Sequence, residues 1–294
     1  MDEIAPNQEG RGSQITMLKV ISWNIGGRNE ACWRSLLTSD VDVALLQEAG
    51  KPPEDVSDSV VVDDEPWATA GAGAERQWRA AVVQLNWDLD VSWYRVARLC
   101  DTQVGGLPVS CPGTMAVADV RDPDTGEVVT LVSLYALWER PHPSVGSSWI
   151  YADAAAHRLV SDLCALIGQQ RGHRIVAAGD LNILHGHGEH GSLYWGGRYR
   201  TVFDRLEAVG MRFVGPQFPN GRQAQPWPAE LPEDSRNVPT YHTRQQGVEG
   251  ATRQLDFVFA SDGVAEQVKT RALNRVEEWG ESDHCRVEIL IGVP

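Results

Sequence analysis

The chain has 294 residues, 42% of them hydrophobic and 22% charged, with a formal net charge of −14. That apolar content can bury a full core, and no stretch approaches the roughly 20-residue apolar run that crosses a bilayer, so a membrane partner is not expected. The acidic balance excludes broad electrostatic attachment to nucleic acid, which needs lysine and arginine to displace counterions.

In chain order, polar Met1 to Thr16 lacks an apolar signal core and reads as a disordered leader, with Met17 as an alternative start. Residues 17–294 read as a single domain, because the polar motifs come from both ends and must meet. Met17 to Asn24 is an apolar run rich in β-formers and predicts a buried strand. Asn29 can cap a short helix with Cys32, Trp33, Leu36 and Leu37 facing inward. Strands are expected over Val41–Gln47, Val60–Val62 and Ala80–Leu85, and Val91–Leu99 alternates loosely. Thr114–Val120 and Val128–Tyr135 flank a turn ending in Gly126, which predicts a hairpin.

Trp149 to Ile167 carries the clearest helical stripe, from Ala156 to Ile167, and Gly168 can end it. Arg174–Ala178 is a strand that delivers Asp180. Val202, Phe203, Leu206 and Val209 form a second helix stripe closed by Gly210. Pro216 to Pro239 carries six prolines and reads as a long ordered loop or a lid. Val238–His242, Leu255–Ala260, Gln267–Leu273 and Cys285–Ile291 complete the strands. Many strands and few helices suit two packed, mixed sheets with helices outside.

The five cysteines are an odd number without metal-like spacing, which points to a reducing cytoplasm. Cys100 and Cys111 could bridge, but nothing in the pattern requires it. Cys164 and Cys285 fall in helix and strand patterns, where a buried thiol is expected.

Several predicted strands end in polar residues of one chemical kind. Asn24 closes the first, Gln47-Glu48 the second and Tyr135 a later one; Gly179-Asp180-Leu181-Asn182, Gln254-Leu255-Asp256 and Ser282-Asp283-His284 follow in order. Carboxylates hold a hard divalent cation, amides orient water and phosphate, and a histidine backed by an acid handles charge or a proton. Asp180 and Asn182 are two apart, so their side chains point the same way in an extended segment. His284 needs a partner to set its tautomer, and Asp256 is the candidate.

The ordered runs Val20–Asn24, Leu45–Glu48, Val132–Tyr135, Gly179–Asn182, Gln254–Phe259 and Ser282–His284 resemble the endonuclease/exonuclease/phosphatase superfamily, which shares the pancreatic-deoxyribonuclease fold. Each run alone is weak; six in order over residues 17–291 are specific. The resemblance implies an α/β fold, a four-layer α/β/β/α sandwich with its site where strand ends converge. It implies Mg2+ dependence, with Mn2+ as a substitute, and Glu48, Asp283 and Asn24 as metal candidates. Asp180 would activate water that Asn182 holds, His284 with Asp256 would neutralise charge, and Tyr135 would donate to phosphate. Arg28 and Arg198, with Tyr135 and Asn182, are the substrate-binding candidates.

One position departs from the pattern. Abasic-site endonucleases of this superfamily carry an acid two residues after the Asn24 equivalent, where this chain has Gly26. The run His185-Gly-His-Gly-Glu-His190 matches no common zinc spacing and reads as a specificity loop. Tyr194, Trp195, Arg198 and Arg200 are candidates to stack on bases and hold phosphates.

The expected activity is hydrolysis of a phosphate ester, first of all a phosphodiester of DNA or RNA, by a monomer. The alternatives are a phosphatase or phosphodiesterase on a small soluble or lipid head group, and a non-catalytic binding module. Loss of Glu48, Asp180 or His284 would mark the last, and all three are present.

Overall fold

A computed structural model of the chain describes residues 17–27, 30–71, 74–123, 125–142, 144, 146, 149–169 and 173–292. The expected leader, the capping Asn29 and the substrate-binding candidate Arg28 lie outside the described residues. In chain order the elements are β1 (Met17–Gly27), α1 (Glu30–Leu37), β2 (Val43–Ala49), α2 (Glu54–Ser57), β3 (Thr69–Gly71), β4 (Ala74–Arg76), β5 (Arg79–Gln84), β6 (Asp90–Trp93), β7 (Val96–Arg98), β8 (Leu107–Val109), β9 (Met115–Arg121) and β10 (Val128–Tyr135). They continue with α3 (Ala152–Gln169), β11 (Ile175–Asp180), α4 (Leu193–Ala208), β12 (Met211–Gly215), β13 (Asp256–Ser261), β14 (Val268–Leu273) and β15 (Arg286–Gly292). No described helix is long and apolar enough to cross a membrane.

Two mixed sheets form the centre. One has the order β14-β15-β1-β2-β5, with β1 and β2 parallel; the other runs β12-β13-β11-β10-β9-β6, with β10 and β11 parallel. The two parallel pairs stack, β1 against β11 and β2 against β10. Side-chain alternation then makes the layers. Val20, Val43, Leu45, Leu131, Val176, Ala178, Val258 and Ala260 fill the space between the sheets. Ile21, Trp23, Ala44 and Leu46 face outward onto Cys32, Trp33 and Leu36 of α1. Ile175, Ala177, Phe257 and Phe259 face outward onto Leu159 and Leu163 of α3 and Val202 and Leu206 of α4. The result is a four-layer α/β/β/α sandwich.

Several local expectations change. Leu37 is exposed, because α1 buries only Cys32, Trp33 and Leu36. Val60–Val62 contributes a single bridge, Val61 to Gln84. Val91–Leu99 divides between β6 and β7. Helix α3 begins at Ala152 rather than Trp149 and continues through Gly168, while Cys164 sits on its exposed side. Val238–His242 is not a strand: Pro239 has no N–H to donate, and Tyr241 alone bridges to Arg253 and His284. The five cysteines form no disulfide. The proline-rich segment is an ordered loop rather than a lid, held down where Asn274 donates to the carbonyls of Arg222 and Pro239 (2.8 Å each).

Candidate active site

In four strands the inward-facing series that fills the inter-sheet core turns polar at one end. Val20 is followed by Ser22 and Asn24, Leu131 by Ser133 and Tyr135, and Val176 and Ala178 by Asp180; β13 begins with Asp256 before Val258 and Ala260. In β2 the series is Val43, Leu45 and Gln47. Gln47 is fully buried and donates to Ser133 Oγ (3.0 Å) and Ser22 Oγ (3.3 Å), a polar tie between the sheets below the site.

Glu48 would face outward with Ala44 and Leu46 if alternation continued. A bulge prevents this. The register shifts between Leu46 and Ala49 against β5 and between Asn24 and Gly27 against β2, and Ala49 takes the outer position. Glu48 adopts φ +48° and turns into the cleft. Asn182 (φ +51°) and His190 (φ +52°) are the other non-glycine residues with positive φ among those described, and both also line the cleft. Such conformations cost on the order of 1–3 kcal/mol each, so their confinement to one site marks it as functional.

Asp180 is the centre of the polar network. Its Oδ2 accepts from Asn24 Nδ2 (2.9 Å) and Asn182 Nδ2 (3.2 Å), and its Oδ1 accepts from the Asn182 backbone N–H (2.8 Å). Gly179 must precede it, because a Cβ there would lie 1.8 Å from the carbonyl oxygen of Leu134. Asn24 donates from the same amide to Glu48 Oε1 (3.1 Å), while its Oδ1 accepts from Gly26 N–H (3.0 Å). Asn24 therefore orients two carboxylates, and its oxygen is occupied by backbone rather than turned to a metal. Asn182 also donates to Ala136 O (3.0 Å) and accepts from the indole of Trp138 (2.7 Å).

His284 and Asp256 form the opposite wall, Nδ1 to Oδ2 at 2.8 Å, both buried. The preceding serine explains the Ser-Asp-His run. Ser282 Oγ donates to Asn24 O (2.7 Å) and accepts from His284 N–H (3.2 Å), tying the tripeptide to β1. Asp283, exposed, and Glu48, half-buried, project into the cleft. Burial pushes the Asp180 carboxyl up, and Asp256 adds to this while His284 opposes it. Burial alone would push His284 down, but the carboxylates of Asp256 and Asp180 outweigh it and hold the ring as imidazolium. Burial, then the charges of Glu48 and Asp180, keeps the Tyr135 phenol protonated.

Glu48, Tyr135, Asp180, Asn182, Asp283 and His284 line a cleft of about 980 Å3 together with Trp138, Trp149, Glu189, Tyr241 and Arg253. Asp180, Asp256 and His284 present ligand atoms within 4.8 Å of one another. That trio suits a proton relay better than a metal cage, since Nδ1 of His284 and Oδ2 of Asp180 are already hydrogen-bonded. Glu48 and Asp283 are hard oxygen donors facing the cleft. The one arginine lining it among the described residues, Arg253, is ion-paired with Glu189 (2.7 Å). Among the described residues Arg253 is held by Glu189 and His284 by Asp256, so the carboxylates of Glu48 and Asp283 fit a hard divalent cation.

Other candidates stand elsewhere. Arg198 does not line the cleft: its guanidinium pairs with buried Asp153 (2.6 Å) and lies over the rings of Tyr151, Tyr194 and Trp195. Trp195 is buried between Trp149 and Tyr199, so it serves the core rather than a base. His185 packs among Phe203, Phe213 and Phe257, which removes it from any metal cluster with His187 and His190. Sequence reasoning missed Thr240, whose Oγ1 accepts from the backbone N–H groups of Leu255 (3.0 Å) and Asp256 (3.1 Å). It also missed Tyr241, whose ring centroid is 4.9 Å from that of His284. Trp138 is visible in the sequence only as a loop tryptophan.

Residues 21–284 match the profile of the Endonuclease/Exonuclease/phosphatase family. No curated protein sequence matches the chain. Similar solved structures include the AP endonuclease LMAP from Leishmania major, at 15% identity and TM-score 0.61 over 95% of this chain and 88% of that one. The endonuclease domain of TRAS1, a telomere-specific non-LTR retrotransposon, is 18% identical with TM-score 0.58, covering 94% of this chain and 98% of its own. The 3' phosphatase NExo from Neisseria, bound to product DNA hairpin, is 16% identical with TM-score 0.54, covering 92% of this chain and 98% of its own. At these identities the likeness is one of fold.

Proposed function

The chain belongs to the endonuclease/exonuclease/phosphatase family, whose members hydrolyse phosphoester bonds, and on that premise we propose that it is a divalent-metal-dependent phosphodiesterase of nucleic acid. The observation that carries this reading is the amide of Asn24, which donates to both Glu48 and Asp180 and so aligns a cleft-facing carboxylate with a buried one. Glu48 and Asp283 would hold Mg2+ or Mn2+, which when bound supplies Lewis-acid polarisation of the phosphoryl oxygen.

The chain's own residues divide the remaining work. Asp180, oriented by Asn24 and Asn182, takes the proton of the water that attacks phosphorus in line with the leaving oxygen. Burial raises its basicity towards neutrality, which an exposed aspartate lacks. The imidazolium of His284, steadied by Asp256, faces the charge that builds on the phosphoryl oxygens. Tyr135 donates its hydroxyl to one of those oxygens. In this reading one catalytic domain over residues 17–294 acts as a monomer. Five cysteines kept as thiols fit a reducing cytoplasm.

A second reading, a phosphatase or phosphodiesterase on a small phosphate, is favoured by the acidity of the described cleft lining and its one arginine, Arg253, which is ion-paired. A turnover panel separates the two: plasmid, single-stranded DNA, RNA, nucleotides and glycerophosphodiesters, each with Mg2+, Mn2+ or chelator. Metal-dependent cleavage of a polynucleotide supports the first reading, and turnover of small esters alone supports the second.

A further inference from the structure

Two indoles stand exposed at the mouth of the cleft, Trp138 at 55% and Trp149 at 53% of their free surface. Large aromatic faces left in water beside a reactive centre are unusual, and these two lie beside different groups. Trp138 donates its N–H to Asn182 Oδ1 at 2.7 Å, which fixes the indole against the residue that orients Asp180. Trp149 rests on Trp195, a buried residue of α4, with ring centroids 5.4 Å apart. Both rings are therefore backed by rigid structure.

The charge around them restricts the ligand. The described cleft lining holds Glu48, Asp180, Glu189 and Asp283 against Arg253, which is paired with Glu189, and the buried imidazolium of His284, which is held by Asp256. A duplex tracked along several phosphates needs a row of free cations, which this lining does not offer. Stacking on aromatic faces supplies affinity that needs no such row, but only for a base free of its own stack.

Resting on the phosphodiesterase reading, we propose that Trp138 and Trp149 form a stacking platform for an unpaired nucleobase next to the scissile phosphate. The substrate is then a single-stranded end or a short free oligonucleotide, not continuous duplex. Trp138 has a second role as a positioning residue, because the base that stacks on it presses on the indole that holds Asn182.

The test is steady-state kinetics with Mn2+ on four substrates. These are a single-stranded oligonucleotide, its blunt duplex, the same single strand with abasic residues flanking the scissile phosphate, and a dinucleoside monophosphate. The single strand should exceed both duplex and abasic strand by about tenfold or more in kcat/KM, chiefly through KM, as expected for base stacking. The dinucleoside arm distinguishes a short free oligonucleotide from a strand end as the source of the base. Trp149→Ala should narrow the gap between base-bearing and abasic strands. Trp138→Phe, which keeps a ring but loses the N–H, should lower kcat more than it raises KM, and Trp138→Ala should do both. Equal turnover of single strand, duplex and abasic strand overturns the platform and leaves the phosphodiesterase reading standing. Turnover confined to phosphates without a base overturns the platform and favours the small-phosphate reading instead. No metal-dependent turnover of any phosphate ester overturns both.

Discussion

The Nε2 of His284 stands 3.8 Å from Oδ2 of Asp180, although the two residues are carried by strands of opposite sheets. Asp180 ends β11, whereas His284 leads into β15 and is tied to β1 through Ser282. A water or phosphoryl oxygen at the mouth of this gap meets an acid on one side and an imidazolium on the other. The spacing is set by the packing of the two sheets, so each residue is replaceable without removing a strand.

Asp180→Asn and His284→Ala should each lower turnover by about a hundredfold or more, the usual scale of acid–base and electrostatic contributions. Circular dichroism and the melting temperature should stay those of a folded protein. A folded variant at either position with near-parental turnover would remove that residue from the mechanism.

Metal binding should be visible without turnover. Glu48 and Asp283 face the cleft without an ion-paired base among the described residues, so Mg2+ or Mn2+ should raise the melting temperature. A ligand bound only by the folded state stabilises it by about 2.7 kcal/mol at a hundred times its dissociation constant. Glu48→Ala should lose most of that rise and most activity, and chelator should abolish activity. Full activity after exhaustive metal-free dialysis would falsify the metal-dependent mechanism.

The metal-free protein should lose stability as pH rises through the range where its buried pair titrates. Burial raises Asp180 from an ordinary 3.8 to about 7, so the folded state keeps a proton that the unfolded chain releases. That contribution is fully present below pH 3.8 and is lost as pH passes about 7. His284, raised from 6.5 to about 10 despite burial by the carboxylates of Asp256 and Asp180, adds a contribution present below 6.5 and lost through about 10. Asp180→Asn removes the first loss. Its melting temperature should therefore gain on the wild type between pH 5 and 7, measured by differential scanning fluorimetry with chelator. Parallel curves for the two proteins would show that Asp180 does not titrate there.

Arg198→Ala should act on stability rather than on substrate affinity. It leaves Asp153, 1% exposed, without its charge partner, a change expected to cost on the order of 1–3 kcal/mol given that the arginine itself is partly solvated. The melting temperature should fall by several degrees while KM on the best substrate stays near the parental value. A raised KM with an unchanged melting temperature would return Arg198 to the substrate site.

What the sequence determined by itself was local. Runs such as Val20 to Asn24 and Val176 to Asp180 are short, largely apolar and end in a polar residue, which reads as a strand buried on both faces that delivers its last member to the sheet end. That is why the strands and their polar end residues were legible in the sequence, whereas the four-layer sandwich was implied by the resemblance that the six ordered runs carry. The tertiary structure decided what those residues touch. Trp138 meets Asn182 across 44 positions, and Asp256 meets His284 across 28, through the packing of separate segments. A bulge rotates Glu48 out of its strand's alternation, and no periodicity announces where a register slips. His185 and Arg198 have the chemistry of ligands, yet three phenylalanines enclose one and a buried aspartate holds the other. Alternation is written residue by residue, whereas partnership depends on which surfaces the packed layers bring together.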